Sequence, residues 1–112
     1  MRIAVATENG QVAQHFGRCQ EYTLFDVENG QIRSKVVIPN PGHQPGFLPR
    51  YLAEKGADCI IAGGMGPSAQ DLFAAQGIKT VIGASGPVDE VVKAYLSGNL
   101  ALGPGACEHG GN

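Results

Sequence analysis

Apolar and polar positions fall in short blocks along this chain. Residues 3–6 (Ile3-Ala4-Val5-Ala6) form a continuous apolar run that stops at the polar group Thr7-Glu8-Asn9-Gly10, the pattern of a central strand buried on both faces. Residues 22–27 and 31–38 are two further strand-like runs, and the Asn29-Gly30 pair between them is a strong local signal for a hairpin turn. The tetrad Glu-Asn-Gly-Gln occurs at 8–11 and again at 28–31, but the flanking residues differ, so it is turn chemistry used twice and not a repeat. Beyond the Pro-rich stretch 39–46, whose prolines cannot donate to a ladder, the period becomes helical. Phe47, Leu48, Tyr51 and Leu52 have helical spacing, with Gly56 as the stop. Residues 58–62 read as a buried strand, 67–76 as a helix stopped by Gly77, 78–82 as a strand, and 87–97 as a helix stopped by Gly98. In that last helix Val88, Val91, Val92, Tyr95 and Leu96 make one apolar stripe.

This order predicts an α/β fold in which an antiparallel hairpin is followed by right-handed crossovers. One mixed five-stranded sheet satisfies it, with the strands in the order 3-2-1-4-5 and three helices on its faces, a ribonuclease H-like arrangement. The 112 residues suffice for one domain, expected over 1–102, with a flexible Gly-rich tail at 103–112. Seventeen glycines and seven prolines, spread along the whole chain, exclude a long helical bundle.

Charge and cysteine usage narrow the function classes. Eight Lys and Arg against ten Asp and Glu give a net charge of -2, and the basic residues form no run, which argues against broad nucleic-acid binding. The apolar run that follows Met1-Arg2 is too short for a signal peptide or a membrane span, so a soluble cytoplasmic protein without a membrane partner is expected. Cys19, Cys59 and Cys107 form no Cys-x-x-Cys pair, so reduced thiols are expected, and rubredoxin, ferredoxin and structural zinc spacings are missing.

The candidate chemistry lies where strands turn into helices. Gly63-Gly64-Met65-Gly66 precedes Pro67, and Gly83-Ala84-Ser85-Gly86 precedes Pro87; proline suits a first helical position, and glycines let backbone amides approach a ligand. Parallel strands put both loops on one sheet edge, so they are either two tight turns or an anion site built from amides and helix dipoles. The segment His15-Phe16-Gly17-Arg18-Cys19 follows the first strand to the same edge, adding an imidazole, a fixed cation and a thiol. Cys59, inside an apolar strand, reads as core. Met65 is either a gap filler or a thioether facing the pocket. His43 reads as a solvated loop histidine, and the tail residues Cys107 and His109 as a pair that could capture a metal.

Four segments agree in order and spacing with one known family: Ile3-Ala4-Val5-Ala6; His15-Phe16-Gly17-Arg18-Cys19; residues 57–66 with their Gly-Gly-Met-Gly end; and residues 77–86 with Gly83-Ala84-Ser85-Gly86. They resemble the dinitrogenase iron-molybdenum cofactor biosynthesis family over nearly the whole chain, to about residue 102. The resemblance implies a ribonuclease H-like fold. It also implies a non-catalytic role in which an anionic metal-sulfur cluster sits against these loops. Members include small carriers of iron-sulfur or iron-molybdenum cluster precursors, and orange proteins that hold a molybdenum-copper sulfide cluster without covalent protein ligands. On this likeness the cluster-binding candidates are residues 15–19, Gly63 to Gly66, and Ala84, Ser85 and Gly86. His15 and Cys19 are candidate metal contacts. Cys107 and His109 fall outside the shared region.

The leading expectation is therefore a carrier that exchanges a cluster with donor or acceptor proteins, as a monomer or weak dimer. Arg33 and Lys35 on the third strand discourage edge-to-edge pairing. A regulatory or scaffolding module with a vestigial pocket is the alternative. A metal-dependent nuclease is remote, because residues 3–7 carry no carboxylate to hold magnesium.

Overall fold

The computed structural model describes residues 1–42 and 46–103, together with the backbone of 107–109. Seven strands and three helices follow one another: β1 (Arg2–Glu8), β2 (Gln11–Val12), a 3-10 turn (Phe16–Arg18), β3 (Glu21–Glu28), β4 (Gln31–Pro39), α1 (Phe47–Glu54), β5 (Cys59–Ala62), α2 (Pro67–Ala75), β6 (Lys79–Ile82), α3 (Val88–Leu96) and β7 (Cys107–His109). They build an α/β fold around one mixed sheet, in the order β4-β3-β1-β5-β6-β7, with β2 paired to β1 outside that path. β1 lies antiparallel to β3 and parallel to β5, and β5 lies parallel to β6.

The five-stranded expectation is thus corrected to a seven-stranded sheet whose order differs by two added strands. β2 extends the hairpin after β1, and β7 runs antiparallel along β6 at the far edge. Strands of two and three residues show no measurable period, which is why the hydrophobic pattern missed them. Both Asn-Gly tetrads are hairpin turns: Asn9 and Gly10 sit at φ 51 and 77, Asn29 and Gly30 at φ 54 and 74. Two successive positive φ values match the right-handed twist of the flanking strands, and Asn-Gly is the pair that adopts them at least cost.

The continuous apolar run of β1 is explained by burial from both sides. Ala4 and Ala6 face a core beneath α1 and α2 that contains Leu48, Leu52, Phe73 and Ile78. Ile3 and Val5 face a second core under α3, formed with Val88, Val91 and Val92. The small residues lie on the side where the ring of Phe16 packs 5.0 Å from that of Phe73. Pro67 takes the first position of α2 as expected, whereas Pro87 precedes α3 as its N-cap, in an extended conformation at φ -59, ψ 134.

Candidate functional site

After β2 the chain turns back across the carboxyl end of β1 and is stitched to the loop that follows β5. Ala13 N donates to Ala6 O at 2.8 Å, Gly63 N to Ala13 O at 2.9 Å, and Phe16 N to Gly64 O at 3.0 Å. The two glycines are demanded by this approach. A Cβ on Gly63 would lie 2.9 Å from Gln14 Cα, and one on Gly64 would lie 2.9 Å from Gln14 O. The Gly-Gly pair therefore serves close packing of chain on chain, and the turn of residues 15–18 is pinned beside the start of α2 as a result.

Phe16 anchors that turn through its buried ring, which packs on Phe73 and Tyr22. The carbonyls of the turn are held from outside: Phe16 O accepts from Tyr22 Oη at 2.9 Å and from Cys19 Sγ at 3.3 Å, while Asn40 Nδ2 donates to Gly17 O at 3.3 Å and Cys19 O at 2.9 Å. Burial pushes the Cys19 thiol above the ordinary thiol range and pushes the Tyr22 phenol up further. Cys19 is thus a buried core residue whose thiol braces the turn, while the side chains of His15 and Arg18 are exposed.

Between the turn, α1 and the start of α2 lies a groove of about 710 Å³. His15, Phe16, Gly17 and Arg18 form one wall, Leu48 and Pro49 of α1 another, and Gly64, Met65, Gly66, Ser68, Ala69 and Leu72 the floor and far side. Its surface is mainly apolar. Met65 does both things the sequence left open: it packs against the core beneath α2 and lines the groove, with its carbonyl held by Gln70 Nε2 at 2.9 Å. Among the described residues, the amides of Gly64, Met65, Gly66, Ser68 and Ala69 donate to no protein acceptor, and the first amide that does so in this stretch is Gln70 N, to Gly66 O. Neither His15 nor Arg18 forms an ion pair among the described residues. The groove residues accordingly supply amides without protein acceptors, the positive end of α2 and one exposed cation.

The family profile described as dinitrogenase iron-molybdenum cofactor matches residues 1–98. The chain belongs to that family. An uncharacterised protein of Methanocaldococcus jannaschii is 33% identical over 105 residues, covering 89% of each chain. The crystal structure of PH0822 superposes with a TM-score of 0.88 at 30% identity, over 94% of this chain and 96% of that one. The apo form of the orange protein from Desulfovibrio gigas superposes with a TM-score of 0.78 at 27% identity over 95% of both chains. Membership in the iron-molybdenum cofactor family, with the orange protein as a structural neighbour, fits a cluster-binding or carrier role.

Set on this member of the family, the sequence candidates divide into two groups. His15, Phe16, Gly17, Arg18, Gly64, Met65 and Gly66 line one groove. Gly63 lies behind it, packed on Gln14, and Cys19 points into the core. The second loop does not share the cavity. Gly83 N and Ala84 N donate to Ala62 O, Gly86 O accepts from Val12 N at 2.9 Å, and Val88 N at the start of α3 donates to Gly10 O at 3.1 Å. The β1–β2 hairpin thus lies at the start of α3, Ala84 is buried, and Ser85 is exposed outside the groove. Cys107 and His109 lie in β7 opposite Ile82 and Thr80; the metal-capture expectation for their side chains, like the reading of His43, falls outside the described residues.

Among the described residues no three His, Cys, Asp or Glu side chains come together as a metal cage. No described helix is long and apolar enough to cross a membrane. Sequence reasoning missed Leu48, Pro49, Ser68, Ala69 and Leu72 as groove residues, and Asn40 as the brace of the turn. Their only trace in the sequence is the amphipathic spacing of α1 and the position of Ser68 just after Pro67; nothing local marks Asn40.

Proposed function

We propose that this chain is a non-catalytic carrier of an anionic metal-sulfur cluster, its cargo, held in the groove between the His15–Arg18 turn and the start of α2. The observation that carries the reading is the donor set: residues whose amides have no protein acceptor, the N-terminus of α2 and Arg18 all belong to the lining of a mainly apolar groove. Such donors attract a multiply charged anion without bonding its metals. Each adds about 0.3–1 kcal/mol when exposed, so the cargo is held by a sum of weak contacts and can be released to an acceptor protein. The apolar walls favour a polarisable, sulfide-faced anion over a strongly hydrated one. Imidazole from His15 can add one labile metal contact.

The same donors serve iron-molybdenum, iron-sulfur and molybdenum-copper sulfide cargoes, and metal analysis of the loaded protein chooses among them. In this reading residues 1–102 are the carrier domain, on a ribonuclease H-like arrangement of hairpin and crossovers, acting in the cytoplasm with donor and acceptor proteins as its partners. Of the two carboxylates left to a nuclease reading, Asp26 is bound to Arg2 and Ser34 at the start of β1, opposite the groove, and Glu8, the last residue of β1, accepts from Gln20 N at 3.1 Å.

The test is anaerobic loading with tetrathiomolybdate, with and without cuprous ion, followed by desalting and visible absorption. Wild-type protein should keep the chromophore, His15→Ala and Arg18→Ala should each lose it several-fold faster, and Cys59→Ala should retain it as wild type does. Equal retention by His15→Ala and Cys59→Ala would remove His15 from the site. A wild-type chain that keeps no chromophore under any loading condition would remove the carrier reading.

A further inference from the structure

We propose that Asn40 is the positioning residue of this groove: its side-chain amide sets the place of Arg18 by holding the carbonyls on either side of it. The inference rests on the carrier reading for its consequence, and on geometry for its content. A 3-10 segment of three residues cannot fix itself. Its one internal bond, Arg18 N to His15 O, is 3.4 Å long, no side chain caps its start, and Cys19 beyond it is already extended. Its first half is anchored by the Phe16 ring and by Tyr22 Oη on Phe16 O. For the second half, Gly17 has no side chain to pack, and the side-chain donor to both Gly17 O and Cys19 O is Asn40 Nδ2.

Every polar group of the Asn40 amide is used. Nδ2 spans the two carbonyls at 3.3 and 2.9 Å, Oδ1 accepts from Gly42 N at 2.9 Å, and the backbone N donates to Gln20 O at 3.2 Å. The residue is half-buried and directly follows Pro39, the last residue of β4, where the chain leaves the sheet towards α1. Asn40 thereby joins the cationic wall of the groove to the segment that leads to its apolar wall. Arg18 itself stays exposed and free to meet an anion, but its Cα is set by bonds on both sides.

Amide exchange by NMR and chromophore retention together test this. In Asn40→Ala, exchange of the Arg18 amide, the turn amide that donates to His15 O, should quicken about tenfold, the worth of one to two net hydrogen bonds, while the amides of β1 stay unchanged and report an intact fold. Asn40→Asp keeps the size and the acceptor for Gly42 N but loses the donor, and should behave like the alanine variant. Tetrathiomolybdate should be lost from Asn40→Ala about as fast as from Arg18→Ala, and the double variant should be no worse than Arg18→Ala alone.

Unchanged exchange at Arg18, a wild-type profile for Asn40→Asp, or additive losses in the double variant would each overturn the proposal. If the wild-type chain retains no tetrathiomolybdate, that result counts against the carrier reading, and the exchange profiles of the two Asn40 variants still decide whether Asn40 holds the turn.

Discussion

Gly63 and Gly66 look alike in the sequence, yet they do different physical jobs. The missing Cβ of Gly63 makes room for the Gln14 backbone, whereas a Cβ on Gly66 would meet nothing within 4 Å. Gly63→Ala should therefore lower stability by about 1–3 kcal/mol through forced backbone movement, a drop of several degrees in the thermal midpoint. Gly66→Ala, at an extended N-cap with φ -68 that alanine adopts without strain, should cost about 0.5–1 kcal/mol. Differential scanning calorimetry of the pair checks this; equal midpoints would show that the close approach is not a constraint. The presence of a Gly-rich loop was legible from the sequence, but its reason was not, because the group that crowds it lies roughly fifty residues earlier in the chain. Cys19 carries a second residue-scale consequence. Its folded thiol holds its proton to higher pH than an unfolded one, so the stabilisation is complete below the ordinary thiol range and is lost as pH rises through the raised value. Urea midpoints should fall on the alkaline side for wild type, and that fall should be shallower for Cys19→Ala; identical slopes would contradict the assignment.

At the scale of elements, strong periods were read well and short pieces were not. β1, β3, β4 and the three helices follow from apolar runs, helical stripes and glycine stops. β2 and β7 depend on partners instead of period: β2 is held by β1 and by Gly86 O, and β7 by β6. That difference decided the fate of the two look-alike loops. Both follow parallel strands, but the unforeseen hairpin bonds to the start of α3 through Gly10 O and Gly86 O, so the second loop does not join the first in the one expected anion site. The hairpins also give a prediction. Gly30 at φ 74 completes a turn that pairs the long strands β3 and β4, so Gly30→Ala should cost roughly 1–2 kcal/mol. Chemical denaturation measures that cost, and an unchanged midpoint would mean that the turn conformation is unimportant.

For the whole molecule, the sheet divides the chain into two functions. The side under α3 buries Ile3, Val5, Ile61 and Val92 fully. The side under α1 and α2 is also packed, but at the carboxyl ends of β1 and β5 it opens into the groove, where the turn, the start of α2 and α1 meet. Family likeness pointed to this edge from the sequence. The wall supplied by α1 and the brace from Asn40 could not be read there, since both arise from contacts between segments distant in the chain. The claim that this open end carries a metal-sulfur anion is tested most directly by the visible spectrum of protein purified without oxygen from a molybdenum- and iron-supplied host, with elemental analysis for iron, molybdenum, copper and sulfide. The account predicts a coloured protein with near-stoichiometric metal and sulfide, and colour that Arg18→Ala reduces. A colourless, metal-free protein that also fails to take up supplied thiomolybdate, while binding a protein partner stably, would contradict it and make the groove a relic beside a regulatory surface.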